Sequence, residues 1–558
     1  RIDAAAFALT FARLSSHDFT FFDSPIEMIN GVIYPPKFNL DNEKILKRHI
    51  YAVALSLYLK INPDLYSANN AKPFINEKGY LGFLDWLKSE PVELSDLLRN
   101  SISITDKQLK NKYINSYEWL EEFIGEQGIF SKIMKEFEQN VEYLKREYEK
   151  AIRARDVDTA TIFSRKLERY QKNDLIDFLV RGNILPKYGF PVDSVELTQN
   201  IAAKSFKSLN LSRDLSVAIA EYAPSSEVVA DGGLYTSRYI RKPIVNKSEM
   251  SDFETGYFSK CSICDEINYS KMPIGTDGIP CAICGHILKN RDFYKSIEPR
   301  AGFIAEEEIK NVPLRSQERK YRTDAIYIGD ETAYPISKYE YEFENIKLEV
   351  ESTANDSLVV KSTDFFYVCP KCGYSIASDE ASKLSEYEDY RPGVARIEKN
   401  NKSHNNPFGK GKCSNTSLIR YSLHHEFKTD VAKISFECDT SDYSTMLSVM
   451  HALLNSFAHE FSIERRDIKA CLTYKKTNGK MEHKIIIYDA VPGGAGHSRR
   501  LVTEDGEILK AVIKRAINLL DTCKCSPSCY RCLRSYENQK IHEILDREHA
   551  LKFLKQFV

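Results

Sequence analysis

The distribution of cysteine constrains this chain more than any other feature of its sequence. Thirteen cysteines occur in 558 residues, and ten of them fall in three short clusters. In a large chain without secretion signals, a reducing cytosol keeps thiols free, so disulfides are not expected. Close clustering is instead what metal ligation requires, since several thiolates must reach one ion. The sequence therefore predicts metal-bound cysteines.

The first cluster has the spacing of a zinc ribbon. Cys261 and Cys264 form one C-x2-C pair, and Cys281 and Cys284 form a second. Zn²⁺ prefers four soft ligands in a tetrahedron, and each C-x2-C turn supplies two thiolates along one edge. Four unrelated buried cysteines seldom show this spacing. We predict that all four bind one zinc ion.

A third C-x2-C pair, Cys369 and Cys372, has no second pair to match it. Cys413 is the obvious third ligand, and His404 is the best candidate for the fourth because imidazole is a good zinc ligand. A single histidine in a polar loop is commonly only solvated, so other ligands stay open. The rival candidates are His424, His425 and Cys438.

The last cluster places Cys523, Cys525, Cys529 and Cys532 close together. Four free thiols at this density would oxidise, or repel one another as thiolates, so a bound metal is expected. Zinc is favoured because no redox-partner motif accompanies the cysteines, and iron–sulfur ligation is the alternative. All three sites have four protein ligands and no open position for water. This predicts about three structural zinc ions and no hydrolysis at the metals.

Composition and charge describe an ordinary globular protein. Hydrophobic residues make up 42% of the chain, charged residues 28%, and the formal net charge is −1. Without a global positive field, any contact with a polyanion must come from local patches. No basic start is followed by an apolar run, and no apolar segment approaches the ~18 residues that span a bilayer. These patterns predict a cytoplasmic protein of roughly three or four domains.

Periodicity predicts a multi-domain α/β chain. Between Ile133 and Ile152, apolar residues recur every three or four positions, which places them on one helix face, with charges such as Glu147 on the other. A packed helical hairpin is favoured over a protruding coiled-coil arm. The predicted segments are a helical region at 61–182, a connector with short strands at 183–250, the zinc ribbon at 251–300, a β-rich segment at 301–368, a second zinc module at 369–420 and an α/β domain closed by a cysteine knuckle at 421–558.

Within the last segment, alternating hydrophobicity and helical periodicity predict individual elements. Strands are expected at 431–436, 470–474 and 484–488, and helices at 443–461 and 506–520. Upstream, the stretch 218–244 is expected to form turns and short strands.

The chain lacks the motifs of common enzyme classes, including the G-x4-G-K-[ST] phosphate loop, H-E-x-x-H and the nucleophile elbow. The turn Gly493–Gly496 has the glycine content of a phosphate cradle, but Asp489 beside it would repel phosphate. A tight structural turn is therefore favoured over contacts to nucleic-acid phosphates. A nuclease using Asp430 or Asp489 is less favoured, because no third ligand or lysine lies at a suitable spacing.

Several motifs occur together near the end of the chain. They are Ile485–His497, the four-cysteine cluster, Ser535–Asn538 and Leu545–Ala550. Together they resemble the MrfA-type zinc-binding (MZB) domain that ends superfamily 2 DNA helicases of mitomycin repair, and that occurs in DISARM and Druantia phage-defence proteins. The Cys369–Cys413 module is similar to what precedes this domain, which supports His404 as a ligand.

Short segments at the start of the chain are similar to the part of the same helicases that follows motif six. These segments are 1–13, 28–31, 35–36, 40–43 and 48–49. The resemblance implies that residues 1–60 are the tail of the second RecA-type helicase domain, and that the ATP-hydrolysing motor precedes Arg1. The chain would then be the accessory C-terminal region of an ATP-dependent DNA helicase in anti-phage defence or DNA repair.

The resemblance implies single-stranded or forked DNA, the helicase motor and other defence subunits as partners, and no membrane. Candidate DNA contacts are cations in or beside the glycine turns and the last knuckle, namely Lys410, Lys412, Arg499, Arg500 and Arg534. The alternative is a free-standing zinc-binding scaffold or adaptor subunit of a defence complex. Near-zero net charge and 11% aromatic residues suit such protein contacts.

Overall fold

The computed structural model describes most of the chain from residue 43 to residue 557. Within that span the residues not described are 66–71, 103–106, 127, 172–174, 183, 186–192, 201–210, 243, 247–248, 251, 313–319, 330–333, 344–345, 381–393, 397–403, 408–410, 462, 464, 478–479 and 503–505; before it, only residues 9, 11, 18, 22, 25 and 26 are described.

The chain divides into two compact units that interleave along the sequence. Unit 1 comprises Arg1–Lys37, Gly329–Ser357 and Thr429–Val558, and unit 2 comprises Phe38–Ile328 and Leu358–Lys428. The predicted multi-domain mixture of helices and sheets is confirmed.

Most of the described helices precede the first strand. In chain order the α-helices are α1 Glu43–Ile61, α2 Tyr80–Lys88, α3 Val92–Ser101, α4 Lys107–Lys110, α5 Trp119–Ile124, α6 Ile129–Arg153, α7 Val157–Gln171, α8 Leu175–Arg181, α9 Leu215–Glu221, α10 Tyr443–Glu460, α11 Glu507–Thr522 and α12 Arg547–Leu554. Short 3₁₀ or π turns lie at Pro63–Leu65, Lys72–Asn76, Asn111–Asn115, Asn290–Asp292, Arg465–Asp467, Ser498–Leu501, Gln539–Ile544 and Lys555–Phe557.

The strands occupy the middle of the chain and the last domain. In chain order they are β1 Ser194–Thr198, β2 Ser212–Asp214, β3 Glu227–Ala230, β4 Gly233–Ile240, β5 Ile244–Asn246, β6 Glu249–Met250, β7 Glu254–Lys260, β8 Ile267–Ser270, β9 Ile279–Pro280, β10 Ile287–Leu288, β11 Tyr294–Glu298, β12 Phe303–Ala305, β13 Lys310–Asn311, β14 Thr323–Tyr327, β15 Tyr334–Phe343, β16 Ile346–Ser362, β17 Phe366–Val368, β18 Ser375–Ala377, β19 Val394–Arg396, β20 Ser417–Phe436, β21 Ile468–Thr477 and β22 Lys480–Asp489.

The helical region of unit 2 forms its own aromatic-rich core. Trp119, Phe83, Phe123 and Phe130 are fully buried there. Phe123 stacks on Tyr51 of α1 with ring centroids 3.9 Å apart. Large rings that bury their whole surface dominate such cores, which explains how short helices with little propensity of their own are held in place.

Helices α6 and α7 form the predicted hairpin, but its buried face differs from the prediction at two positions. The side chain of Glu147, expected on the charged face, is only 4% exposed, and Ile152, expected on the buried face, is 54% exposed. Glu147 packs against Gly275 of the zinc-ribbon segment and pairs with Lys150 at 3.1 Å. The prediction was wrong there because helical period alone does not reveal which neighbour covers a face.

Unit 2 contains a mixed sheet in the order β13-β4-β12-β1-β2, with β3 pairing to β4. A second set of strands joins β11 in antiparallel fashion to β7 and in parallel fashion to β20, and β7 continues to β8. Strand β17 pairs with β18 and with β20. The segment predicted to hold only turns and short strands also contains helix α9, whose N-terminus is capped by the Asp214 side chain.

Unit 1 packs three helices against long antiparallel strands. Strand β22 pairs with β21 over its whole length and with β20 from Val431↔Tyr488 to Ile434↔Ile485. Helix α10 is buried at every position from Met446 to Ala458, including the polar residues Ser448, His451, Asn455 and Ser456, so it is a central helix of unit 1. The predicted helices and strands of this segment are present, and α12 is a further helix that the sequence prediction did not include.

Across the part of the chain that the structure describes, every helix is too short or too polar to cross a membrane.

Candidate metal centres

The first cysteine cluster is built from two identical backbone turns. After β7, the N–H of Cys261 donates to the carbonyl of Glu266 at 2.8 Å, and the N–H of Asp265 donates to the carbonyl of Cys261 at 2.9 Å. The second turn repeats this pattern from Cys281 to His286 at 2.8 Å. Both turns place their fifth residue in the left-handed region, with φ of 63° at Asp265 and 72° at Gly285. The spacing therefore folds locally into a metal knuckle, whatever surrounds it.

The four sulfurs of this first site lie at the separations that one zinc ion imposes. Cys261 and Cys284 are 3.5 Å apart, as are Cys264 and Cys281. Tetrahedral zinc with Zn–S bonds of about 2.3 Å would hold sulfurs roughly 3.8 Å apart. Asn268 Nδ2 donates to the sulfur of Cys281 at 3.4 Å, a contact that favours a thiolate.

The pair Cys369 and Cys372 forms a third turn of the same kind. The N–H of Cys369 donates to the carbonyl of Tyr374 at 2.7 Å, and Gly373 occupies the left-handed position with φ of 80°. The N–H of Ile240 in β4 donates to the Gly373 carbonyl at 2.8 Å. A Cβ at Gly373 would overlap the carbonyl oxygen of Ile240. Glycine is thus required here both for its conformation and for the close approach of β4.

His404 and Cys413 complete the second site. His404 Nε2 lies 3.1 Å from the sulfur of Cys372, and the sulfurs of Cys369 and Cys413 are 3.9 Å apart. The His404 ring is buried and stacks on Tyr374, with centroids 4.6 Å apart and planes 17° apart. A single antiparallel bridge, with the N–H of Cys413 donating to the His404 carbonyl at 2.9 Å, brings the two ligands together.

The rival ligands considered for the second site have other partners. Nδ1 of His424 lies 3.1 Å from Ser296 Oγ, and Nδ1 of His425 lies 2.8 Å from Glu298 Oε1. Cys438 belongs to none of the metal-binding groups found among the described residues.

The third site joins Cys523, Cys525, Cys529 and Cys532 at the end of α11. Adjacent sulfurs are 3.4 to 3.9 Å apart. The loop is held from outside by the buried side chain of Arg547, which donates to the Cys525 carbonyl at 2.9 Å. The sequence prediction missed this residue, although it lies in the Leu545–Ala550 motif.

The electrostatics of the thiols show why these sites need a cation. Burial raises the pKa of Cys264 to about 12. At Cys281 burial also acts to raise the pKa, but hydrogen bonds from the backbone and Asn268 outweigh it and lower the pKa to about 6. In the second site the hydrogen bond from Cys372 lowers the pKa of Cys369 to about 3, and the pKa of Cys372 rises correspondingly. In both of these sites the pKa of one thiol is lowered while that of a neighbouring thiol is raised, so a divalent ion is required for all the cysteines of a site to bind as thiolates.

In each group the ligand atoms all lie within 4.8 Å of one another. Two Cys₄ sets and one Cys₃His set, mostly buried, fit zinc, and so do the side-chain amides of Asn268 and Asn415, which donate to the sulfurs of Cys281 and Cys369. The prediction of about three zinc ions is confirmed. Each set fills four positions with protein atoms, so the bound ion would shape the fold and would not activate water.

The glycine turn after β22 is occupied by the chain's own carboxylate. The buried Asp489 side chain accepts backbone N–H bonds from Ala495 at 2.6 Å, His497 at 3.0 Å and Ser498 at 2.7 Å. Three converging N–H groups are the geometry of an anion cradle. Here the anion is Asp489, so the turn serves the fold.

Asp430, the other carboxylate considered for a nuclease, also has a partner within the chain. Asp430 is fully buried and pairs with Arg499, whose Nε is 3.4 Å from Asp430 Oδ2. Within the described residues neither Asp430 nor Asp489 belongs to a group of side chains that could hold a metal ion.

The cations suggested as DNA contacts have different surroundings. Arg500 stacks on Phe461, with its guanidinium carbon 3.6 Å from the ring centroid, and Arg534 donates to Ser528 Oγ at 2.9 Å. Lys412 is exposed, and Arg499 is 31% exposed beside Asp430. Lys410 lies outside the described residues.

The sequence around the third cysteine site matches a known domain family. Residues 449–533 match the profile of the MrfA Zn-binding domain (MZB), so the chain contains an MrfA-type zinc-binding domain. Over nearly its whole length the chain is also similar to the Druantia protein DruE of Escherichia coli (strain UMEA 4076-1), at 24% identity over 613 aligned positions. The match covers 98% of this chain and 31% of DruE, so the chain spans about a third of the length of that relative.

Two solved structures of DUF1998 helicase MrfA, one bound to DNA and one bound to DNA and AMPPNP, also align with parts of the chain. Each is 12% identical to it, with TM-scores of 0.28 and 0.19. They cover 65% and 53% of this chain and 34% and 30% of their own.

Proposed function

We propose that this chain is the C-terminal accessory region of an ATP-dependent DNA helicase or translocase, where it holds or guides DNA beside the motor in anti-phage defence or DNA repair. The observation that carries the proposal is the MZB domain at 449–533, within a chain that aligns over 98% of its length with the Druantia protein DruE. In this proposal residues 1–60 are the tail of the second RecA-type domain.

The zinc sites support a guiding role better than a catalytic one. Each has four protein ligands and is built into the backbone of its domain, so it fixes the position of the surrounding loops. A rigid surface that presents a few cations can hold a phosphate backbone without any chemistry of its own. ATP hydrolysis would belong to the motor.

The test is binding of fluorescein-labelled single-stranded, forked and duplex DNA by this chain across a salt series. Contacts to several phosphates predict that affinity falls by about a hundredfold or more between roughly 50 and 200 mM salt. Alanine substitution of Lys412 and Arg534 should weaken binding to all sequences equally. Absence of salt-dependent binding to any of these DNAs would overturn the DNA-guiding role.

A free-standing adaptor is the second candidate, because both knuckles of the zinc ribbon expose apolar side chains. Ile263 is 59% exposed, Ile283 37% and Ile287 47%. Exposed apolar side chains on a rigid module suit protein contacts. Capture of the helicase motor after nuclease treatment, lost in an Ile263→Ser/Ile287→Ser double variant that still binds three zinc ions, would favour this candidate.

A further inference from the structure

A ladder of aromatic rings crosses unit 2 from its interior to its surface. Phe258 of β7 is fully buried and stacks on Tyr294 of β11, with centroids 6.0 Å apart and planes 18° apart. Tyr294 meets Phe365 edge-to-face at 5.1 Å. Tyr294 and Phe365 are partly exposed. The ladder therefore ends in aromatic surface that solvent reaches.

Two cations lie on these rings. Lys361 Nζ is 5.4 Å from the Tyr294 centroid and 5.8 Å from the centroids of Phe258 and Phe365. The guanidinium of Arg420 lies 4.6 Å from the centroid of Phe365, and Arg420 is exposed. We call Tyr294, Lys361, Phe365 and Arg420 the cation–aromatic face.

The cations of this face lack a direct carboxylate partner among the described residues, although Asp324 and Asp364 lie close enough to raise the pKa of Lys361. The nearest acidic groups have other partners, since Asp324 pairs with Arg322 at 2.6 Å and Asp364 accepts from Thr363 at 3.0 Å. Burial lowers the pKa of Lys361 against the opposing charges of Asp324 and Asp364, and the ammonium donates to the Ser362 carbonyl at 2.9 Å.

The sheet extends the face by one more ring. Tyr367 of β17 is the register partner of Arg420 of β20, so the two side chains leave the sheet on the same side. Tyr367 is partly exposed, whereas its neighbours Phe366 and Val368 are fully buried. Flat π surfaces and cations thus alternate over a short stretch of one sheet.

We propose that the cation–aromatic face is a binding site for single-stranded nucleic acid, in which bases stack on Phe365, Tyr367 and the guanidinium of Arg420 while Arg420 and Lys361 contact the phosphates. This proposal rests on the proposed DNA-guiding function and names a surface for it. Stacking requires unpaired bases, which distinguishes the ligand from duplex DNA. Two cations that form no direct ion pair, on a chain of near-zero net charge, complement a polyanion.

Two substitutions separate stacking from charge. Phe365→Leu keeps apolar volume but removes the ring, and Arg420→Gln removes the charge. We expect each to weaken binding of an oligo(dT) of about 20 nucleotides roughly five- to tenfold. Arg420→Gln should also reduce the salt slope by about one, while Phe365→Leu should leave the slope unchanged. Arg291→Gln is the matched control, because Arg291 is 83% exposed in the same unit, and it should change affinity less than about twofold.

The outcomes distinguish this proposal from the proposed function. If the unmodified chain binds no DNA, the proposed function fails, and this proposal fails with it. If the chain binds oligo(dT) but Phe365→Leu and Arg420→Gln bind as tightly as Arg291→Gln, DNA binding stands and this site is wrong. If both variants keep DNA binding but lose capture of the helicase motor, the face binds protein, and the proposal is overturned. Thermal melting and zinc content of each variant, unchanged from the parent chain, establish that the losses are local.

Discussion

Arg547 holds the last cysteine knuckle by a hydrogen bond to the main chain of the knuckle, since Arg547 Nε donates to the carbonyl oxygen of Cys525 at 2.9 Å. Its Nη1 donates to the carbonyl of Leu520 at the end of α11 at 2.9 Å, and its own N–H donates to the carbonyl of Pro527 at 2.8 Å. One buried side chain therefore connects the third metal site to α11 and to the start of α12.

Substituting Arg547→Lys should loosen the third zinc ion without removing a ligand. A lysine keeps the charge but cannot donate in two directions from one planar group, so the knuckle loses at least one fixed carbonyl. We expect the affinity for one of the three zinc ions to fall roughly 10- to 100-fold, as it does when other residues that position metal ligands are replaced. Chelator competition with a colorimetric zinc dye measures this affinity. Arg515→Lys, at an exposed pair with Glu460, is the control and should release zinc as the parent does. Equal release from both variants would contradict the role of Arg547.

Substituting His404→Ala should remove one zinc ion of three, and His404→Cys should keep all three. Cysteine supplies a fourth thiolate in place of the imidazole, and Cys₄ sites are as acceptable to zinc as Cys₃His sites. Zinc per chain, measured by inductively coupled plasma mass spectrometry, decides the point. His286, a histidine inside the first knuckle segment but outside the ligand groups, is the control. Three ions in His404→Ala would show that another group closes the second site.

Substituting Asp489→Asn should destabilise unit 1 by about 2–4 kcal/mol, because a carboxylate that accepts three buried N–H bonds is replaced by a neutral group with one acceptor oxygen. Urea unfolding followed by far-UV circular dichroism measures the change. Asp521→Asn makes the same chemical change at an exposed pair with Lys555 and should unfold at the same urea concentration as the parent. Magnesium-dependent DNA cleavage abolished by Asp489→Asn would instead revive the nuclease hypothesis.

Stability should fall as pH drops from 6.5 towards 4, in part because of buried His424. Burial lowers its pKa from 6.5 to about 4 against the opposing charges of Glu298 and Glu426, while His425 and Arg300 lower it further. The folded chain binds that proton less readily than the unfolded chain. The stabilisation is therefore complete above pH 6.5 and lost as pH falls towards 4, by at most about 3 kcal/mol.

The variant His424→Gln isolates this contribution. Its free energy of unfolding should change less steeply than that of the parent between pH 6.5 and 4, although it starts lower at neutral pH. His549→Gln, at a side chain that is 62% exposed, should reproduce the parent's slope. Loss of zinc at low pH affects all three proteins, so the comparison cancels it. Parallel curves for His424→Gln and the parent would contradict the prediction.

The sequence predicted best those features that are local in the chain. Each C-x2-C turn closes through hydrogen bonds between residues a few positions apart, so its spacing alone specified the knuckle. The position of His404 beside Cys372 was harder to predict, because residues 32 positions apart are brought together by the tertiary fold and not by a local turn. Spacing and composition left several rivals for that ligand, and the histidine was favoured by the ligand chemistry of imidazole together with the resemblance to a family.

The length of β20 and the burial of Glu147 were not predicted, because both depend on residues that are distant in the sequence. Strand β20 runs from Ser417 to Phe436, whereas alternation predicted only 431–436. Residues 421–425 of β20, beside β11, are all buried, as in a strand covered on both faces, so exposed and buried positions do not alternate there. The burial of Glu147 has a similar cause, because Gly275 covers it from a distant segment.

The three N–H groups that bind the Asp489 carboxylate also predict that small anions would stabilise a variant lacking this side chain. Truncation to alanine would leave three inward-pointing amide donors around a hole the size of a carboxylate. Formate or acetate from the buffer should then enter the vacancy and restore part of the lost melting temperature, in proportion to concentration. Neutral formamide should not. A turn that evolved to grip its own side chain would thus become a selective receptor for small anions once that side chain is gone.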